Sequence, residues 1–280
     1  MKGIYGIILT LVLSVGLISC ADQKASSNDI KEDNTASSEV NNEIISNKED
    51  KVDDYKKVSD TTKEDSSKNL KEKSNEYELV SKNYNKNNVK INYPEIKKFN
   101  DDEKLKSINK YLKGCALKVL DDYVKEDPNL EAVNLNVNYD VKFKNEKYIS
   151  IVYKGEVNVK GTAYPSSIFY TTNVDLESGN IIRLSDYSNV NDILNKLKDP
   201  KNIKVIAEND ELAAAQKDFI LNIGNDNLIN MVKNADFHEV NTKIESPKDG
   251  VYSYFDKDGI VISLQVNHAI GDHAEFKLKA

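Results

Sequence analysis

The most regular stretch of the chain is "VNLNVNYDVKF" at 133–143. Val133, Leu135, Val137, Tyr139, Val141 and Phe143 alternate there with Asn, Asp or Lys. A period of two predicts a strand with one face in a core and the other in water. Ile149, Ile151 and Tyr153 continue the pattern after a turn at Asn145. Ile168, Tyr170, Val174 and Leu176 form a third run that ends in "ESGN" before "IIRL". Three such runs with short links predict an antiparallel meander. Upstream, "EYELVSKNYNKNNVKINYPEI" (76–96) reads as strand, turn and strand, ending at Pro94. Between these regions Leu105, Ile108, Leu112, Cys115, Val119, Leu120 and Tyr123 recur at three- and four-residue steps. That spacing predicts one long helix over 100–128. Asn100 and Glu103 stand at capping-box spacing, Asp101 and Asp102 suit a first turn, and Pro128 closes the segment.

After the meander the pattern turns helical over about 186–234, through "DYSNVNDILNKLKD", "ENDELAAAQKDFILNI" and "NDNLINMVKN". A hairpin at 251–266 and a last strand at 274–279, returning to the sheet, complete the chain. Strands and helices are segregated, which predicts an α+β fold. The expected architecture is an antiparallel sheet with a long N-terminal helix and a helical insertion, after a disordered tether.

The tether reading comes from the first 75 residues. Lys2 followed by the apolar run at 4–19 reads as an export signal over 1–19. Leu17-Ile18-Ser19-Cys20 resembles a bacterial lipobox, which makes Cys20 the lipidation site. Residues 21–75 are mostly Ser, Asn, Asp, Glu and Lys, too poor in apolar side chains to offset chain entropy. As a coil they would reach roughly 40 Å root-mean-square, so the folded part would stay close to the membrane. The expected plan is therefore a signal peptide at 1–19, a lipidated cysteine and tether at 20–75, and a folded domain at 76–280. With Cys20 modified, Cys115 is the only thiol left, and a buried structural cysteine is the default reading for it. A single arginine among 39 basic residues and abundant asparagine suggest a low-GC Gram-positive source.

Charge and motif content narrow the chemistry. The folded part, 76–280, holds 28 Lys/Arg against 32 Asp/Glu, a net of −4, which argues against nucleic acid as a partner. Phosphate-binding loops, dinucleotide fingerprints and nucleophile elbows are absent. "FHEVNTK" at 237–243 begins like a zinc-protease motif but has Lys243 near where the second histidine would stand. The remaining feature is "VNHAIGDHAEF" at 266–276, which holds two of the three histidines, His268 and His273, with Asp272 between them. These three could supply zinc ligands, with His238 approaching in space. Gly271 and the end of a strand at Val266 favour a tight exposed recognition loop instead. Neither catalytic residues, a metal nor a cofactor is expected.

Three segments carry a resemblance. "INYPEIKKFNDDEKLKSINKYLKGCALKVL" resembles the start of the domain that precedes the catalytic part of PdaC-type peptidoglycan deacetylases. "GTAYPSSIFYTTNVDLESGNIIRLSDY" (161–187) and "YFDKDGIVISLQVNHAIGDHAEFKL" (254–278) resemble two further regions of that domain. The same two-part domain forms the outside portion of RsiV-type anti-sigma factors. The resemblance spans about 85–280 and implies a PdaC-like part at about 85–185 and an RsiV-like part at about 186–280. It also implies a partner, because in the RsiV type this domain is a lysozyme receptor whose loops enter the lysozyme substrate cleft. Carried over residue by residue, those loops fall on Tyr164, Pro165, Ser166 and Ser167, and on His268, Ile270, Gly271, Asp272 and His273. The closing loop departs from the family pattern, with Asp272-His273 where Pro-Tyr is usual.

With a lipobox and tether in place of a membrane helix, and no catalytic part after the domain, the expected protein is a monomeric, lipid-anchored lysozyme inhibitor. Its place would be the outer face of a Gram-positive membrane. The alternative is a non-catalytic module that binds peptidoglycan, and an enzyme acting on wall glycan through unrecognised carboxylates is a third reading.

Overall fold

The computed structural model describes residues 77–279. The export signal, Cys20 and the tether lie outside the described residues.

The chain opens with a hairpin of β1 (Glu78–Lys86) and β2 (Val89–Lys97). Asn87 takes φ 52° in the two-residue turn, a conformation that asparagine tolerates. β2 runs on through Pro94, beyond the expected end. It then pairs in parallel with β3 (Val133–Lys144), so the sheet is not purely antiparallel as expected. β3, β4 (Tyr148–Val159), β5 (Ser166–Asp175) and β6 (Asn180–Ile181) follow as the meander. Together they form a six-stranded sheet in sequence order.

The helical segment corrects two expectations. α1 spans only Asp102–Leu117; a 3-10 turn (Lys118–Leu120) and the one-turn α2 (Asp121–Val124) follow. There is thus no single long helix over 100–128, and two strands precede α1 in the chain. The N-cap is Asp101 rather than Asn100, its carboxylate accepting from the amides of Glu103 and Lys104, each at 3.0 Å. α1 lays Ile108, Leu112, Cys115 and Ala116 on the sheet face that carries Ile91, Leu135, Ile151 and Tyr153. All eight are fully buried, which at about 25 cal/mol per Å² of apolar area makes this the principal stabilising layer.

The second half builds another core. α3 (Leu184–Tyr187), α4 (Val190–Lys198), α5 (Asp210–Asn222) and α6 (Asn225–Lys233) are interrupted by β7 (Ile203–Ile206), a strand the helical reading of 186–234 missed. A small hairpin, β8 (His238–Val240) with β9 (Lys243–Glu245), comes next. The zinc-protease-like stretch is therefore extended backbone, not the helix such a motif needs. β10 (Tyr252–Asp256), β11 (Gly259–Gln265) and β12 (His273–Leu278) then complete a four-stranded sheet in the order β10-β11-β12-β7. The last strand thus joins its own hairpin and β7, not the meander. Leu197, Ile220, Leu228 and Val232 cover this sheet at Ile262 and Phe276.

Where the two sheets meet, β4 is buried on both faces. Ile149, Ile151 and Tyr153 face α1, whereas Val152 packs with Tyr254 and Val261 of the second sheet. Among the described residues the edge of β10 is not paired with a strand. Its Ser253 carbonyl accepts from Thr171 Oγ1 (2.6 Å) and Asn173 Nδ2 (2.9 Å), and its Phe255 amide donates to Ser150 Oγ (3.0 Å). Buried side chains of the first sheet thus supply the partners that an edge strand otherwise lacks.

Candidate functional site

Two loops distant in sequence converge at one end of the sheets. The first carries Tyr164 and Pro165 into β5, whose first residues are Ser166 and Ser167, and all four are exposed. The second joins β11 to β12 through a 3-10 turn at His268–Ile270. Gly271 (φ 103°) and Asp272 (φ 63°) then reverse the chain in the left-handed region. Glycine is at no disadvantage there, and Asp is among the few other residues that adopt it readily. Gln216 of α5 fixes the loop from behind, its Nε2 donating to the carbonyls of Ile270 (2.9 Å) and His273 (3.3 Å).

Asp272 ties the loops together. Its Oδ2 accepts the Ser167 amide at 2.7 Å, and the Nδ1 of His268 lies 3.0 Å from its Oδ1. Burial works against the charge of this carboxyl, but the Ser167 amide and the His268 ring outweigh it and hold its pKa below the ordinary value. The ring of His268 in turn lies nearly parallel to that of Tyr164, with centroids 6.1 Å apart. Tyr164 is 71% exposed, more than any other large hydrophobic side chain among the described residues.

The nine residues expected to meet a partner therefore divide. Tyr164, Pro165, Ser166, Ser167 and His268 present outward, and Asp272 holds them in place. Ile270 packs on the second core and Gly271 shapes the turn, so both serve the loop from within. His273 turns inward: its ring stacks on Phe169 at 4.5 Å, and its Nε2 stands 3.7 Å from Glu275 Oε1. The two histidines thus serve different neighbours, and no group of three potential metal-ligating side chains occurs among the described residues.

Beneath the loops lies a cavity of about 550 Å³ between the sheets. Its lining includes Tyr164, Ser166, Ser167, Asp272 and His273 from the loops, together with Asp122 and Lys248. Aromatic walls come from Tyr123, Phe169, Tyr170, Phe237 and Tyr252, and the β11 side is Ser263 and Gln265. Burial, and then the neighbouring Asp121, raise the pKa of Asp122. Sequence reading missed Phe169, Tyr252, Ser263 and Gln265. The available signal was a serine and a glutamine inside the apolar run "IVISLQV".

Behind His273 a buried ionic cluster closes the site. Glu275, 4% exposed, accepts from Lys154 Nζ (2.6 Å) and Tyr254 OH (2.8 Å). Desolvation pushes this carboxyl up, but His273, Lys154 and Tyr254 together bring it down to about 2.

No family model matches the chain, and no curated protein matches it. Among solved structures it is similar to a DUF3298-family protein of Bacteroides fragilis, at 15% identity and a TM-score of 0.41. The match covers 73% of this chain and 90% of that one. It is also similar to a DUF3298-family protein of Pseudomonas aeruginosa, at 13% identity, a TM-score of 0.34 and the same two coverages, 73% and 90%.

Proposed function

We propose that this protein is a lipid-anchored binding protein of the cell surface that captures lysozyme and inhibits it by occupying its substrate cleft. The observation that supports this reading is the joining of the two loops through Asp272, whose carboxylate accepts the Ser167 amide and faces the His268 ring. Beside that tie the Tyr164 ring is exposed and lies next to the ring of His268. An exposed tyrosine beside a second ring suits the centre of a protein interface, where tyrosine is enriched among the residues that carry binding energy. Lysozyme is strongly basic, and a domain of net charge −4 favours its approach. The reading assigns binding rather than catalysis, and it takes membrane attachment at Cys20 from the sequence.

The test is biolayer interferometry of the purified protein against hen-egg and human lysozyme, with a parallel assay of lysozyme digestion of cell wall. The expected outcome is binding with loss of digestion. Replacing Tyr164 with Ala is expected to weaken binding by about tenfold or more, the scale of an interface hot spot. Absence of binding at near-physiological salt would overturn the reading and move the wall-binding alternative, which the cavity favours, to first place.

A further inference from the structure

We infer that the cavity between the sheets is a binding site for a short, uncharged saccharide. The cavity shares residues with the loop edge, Ser167 and Asp272 among them, but binding there does not depend on capture of a protein at that edge. Three observations converge on the ligand class.

The first is the wall chemistry. At about 550 Å³ the cavity falls within the roughly 300–1,000 Å³ range of small-ligand sites. Its lining combines aromatic rings with hydroxyl and amide groups, notably Phe169 and Tyr252 with Ser167, Ser263 and Gln265. A sugar ring has the matching duality, with C–H faces that lie on aromatic rings and hydroxyls at the edge. A purely apolar ligand would leave the polar groups without partners, at a cost for each.

The second is that two wall residues carry unpartnered polar atoms. Ser263 is 1% exposed, and among the described residues neither its Oγ nor His273 Nδ1 has a hydrogen-bond partner. Ser263 and Gln265 lie two apart on β11, and the register sets Gln265 opposite His273 on β12. These three polar groups therefore belong to one patch of wall. The role of His273 Nδ1, donor or acceptor, follows from the ring's tautomer, while the serine hydroxyl both donates and accepts. A hydroxyl-bearing ligand complements both.

The third is charge. The lining acids Asp122 and Asp272 outnumber the single lining cation, Lys248. Such a rim disfavours phosphate-bearing or carboxylate-rich polymers, which would require an excess of Lys or Arg. A neutral sugar meets no such penalty.

The experiment is isothermal titration of the purified protein with cellotriose and chitotriose, with inorganic phosphate as the anionic control. Amide chemical shifts would locate the binding. Saccharide binding is expected, with shifts at 162–170, 252 and 263–273 and none from phosphate. Ser263→Ala and Gln265→Ala are each expected to weaken binding about tenfold, the effect of one buried hydrogen bond. Ser263→Ala is expected to keep or raise the melting temperature, because it removes a buried hydroxyl that has no partner in the free protein. Gln265→Ala, at an exposed position, keeps the test valid should the first variant repack. The inference is overturned by the absence of binding at about 10 mM of either sugar, by preferential binding of phosphate, or by unchanged affinity in both variants.

Discussion

The two sheets are joined by two buried carboxylates, and these are solvated in opposite ways. Asp236 is 2% exposed and sits at φ 69° between α6 and β8. Its Oδ1 accepts the Ser253 amide (2.6 Å) and its Oδ2 accepts the Leu184 amide (2.8 Å) and the Ser253 hydroxyl. All are neutral donors. Burial prevails over them and over the more distant charge of Arg183, so the Asp236 pKa is pushed up to about 6. Glu275 is also buried, but the His273 ring, the Lys154 ammonium directly on it and the Tyr254 hydroxyl outweigh that burial, and it falls to about 2. The contrast teaches that hydrogen bonds from neutral groups hold a buried carboxylate in place without making its charge comfortable, whereas a direct cation does both. The Asp236 junction serves geometry, satisfying the edge of β10. The Glu275 junction stands behind the candidate site.

The largest effect is expected where the geometry is at stake. Asp236→Ala strands the buried amides of Ser253 and Leu184, each at about 1–3 kcal/mol. It should cost about 3 kcal/mol or more in urea unfolding. A loss below about 1 kcal/mol would break the comparison, since these donors would then have found other partners.

The pH dependence of stability comes next. For Asp236, with a folded pKa of about 6 against an ordinary 3.8, the folded protein binds the proton more tightly than the unfolded chain. Its contribution therefore rises as pH falls from above 6 towards 4, on the order of 3 kcal/mol in total. Glu275, at about 2 against an ordinary 4.5, contributes fully above 4.5 and is lost as pH falls through 2. From these two groups stability should peak near pH 4 to 5. Glu275→Gln should flatten the acid limb and leave the slope between 4 and 6 intact. Chemical denaturation at stepped pH separates the limbs, and a single slope of one sign across both would refute the assignment.

How much of this was legible in the sequence follows from how local each feature is. The meander was readable because Val133, Leu135 and Val137 carry their period within one strand. α4, α5 and α6 were readable because they report their own amphipathic turns. β7 was not, since the four residues "IKVI" have meaning only through pairing with β12, about 70 residues away. The parallel pairing of β2 with β3 is hidden for the same reason. Asp236 looks like an ordinary surface acid in "KNADFHEV", because its donors come from 184 and 253. The resemblance named both loops, but nothing in the sequence set Tyr164 beside His268. No periodicity could show that Asp272 reaches 105 residues back to Ser167.

The smallest effect, and the sharpest test of the comparison, comes from making Glu275 resemble Asp236. Lys154→Met removes the cation while a flexible thioether keeps the contact with Phe169, over whose ring the Lys154 ammonium stands at 5.2 Å. Glu275 would then be held by Tyr254 and His273 alone. Because the Lys154 side chain is 50% exposed, its attraction is screened, and the loss at neutral pH should be only about 1 kcal/mol. The informative readout is instead the carboxyl titration of Glu275 by carbon-13 NMR. Its midpoint should move upward from about 2 by somewhat less than one unit, the shift that a loss of about 1 kcal/mol implies, carrying the acid limb of stability with it. The Asp236 midpoint should stay where it is. A Glu275 midpoint that did not move would mean that Tyr254 and His273 suffice, and that the cation is not what separates the two junctions.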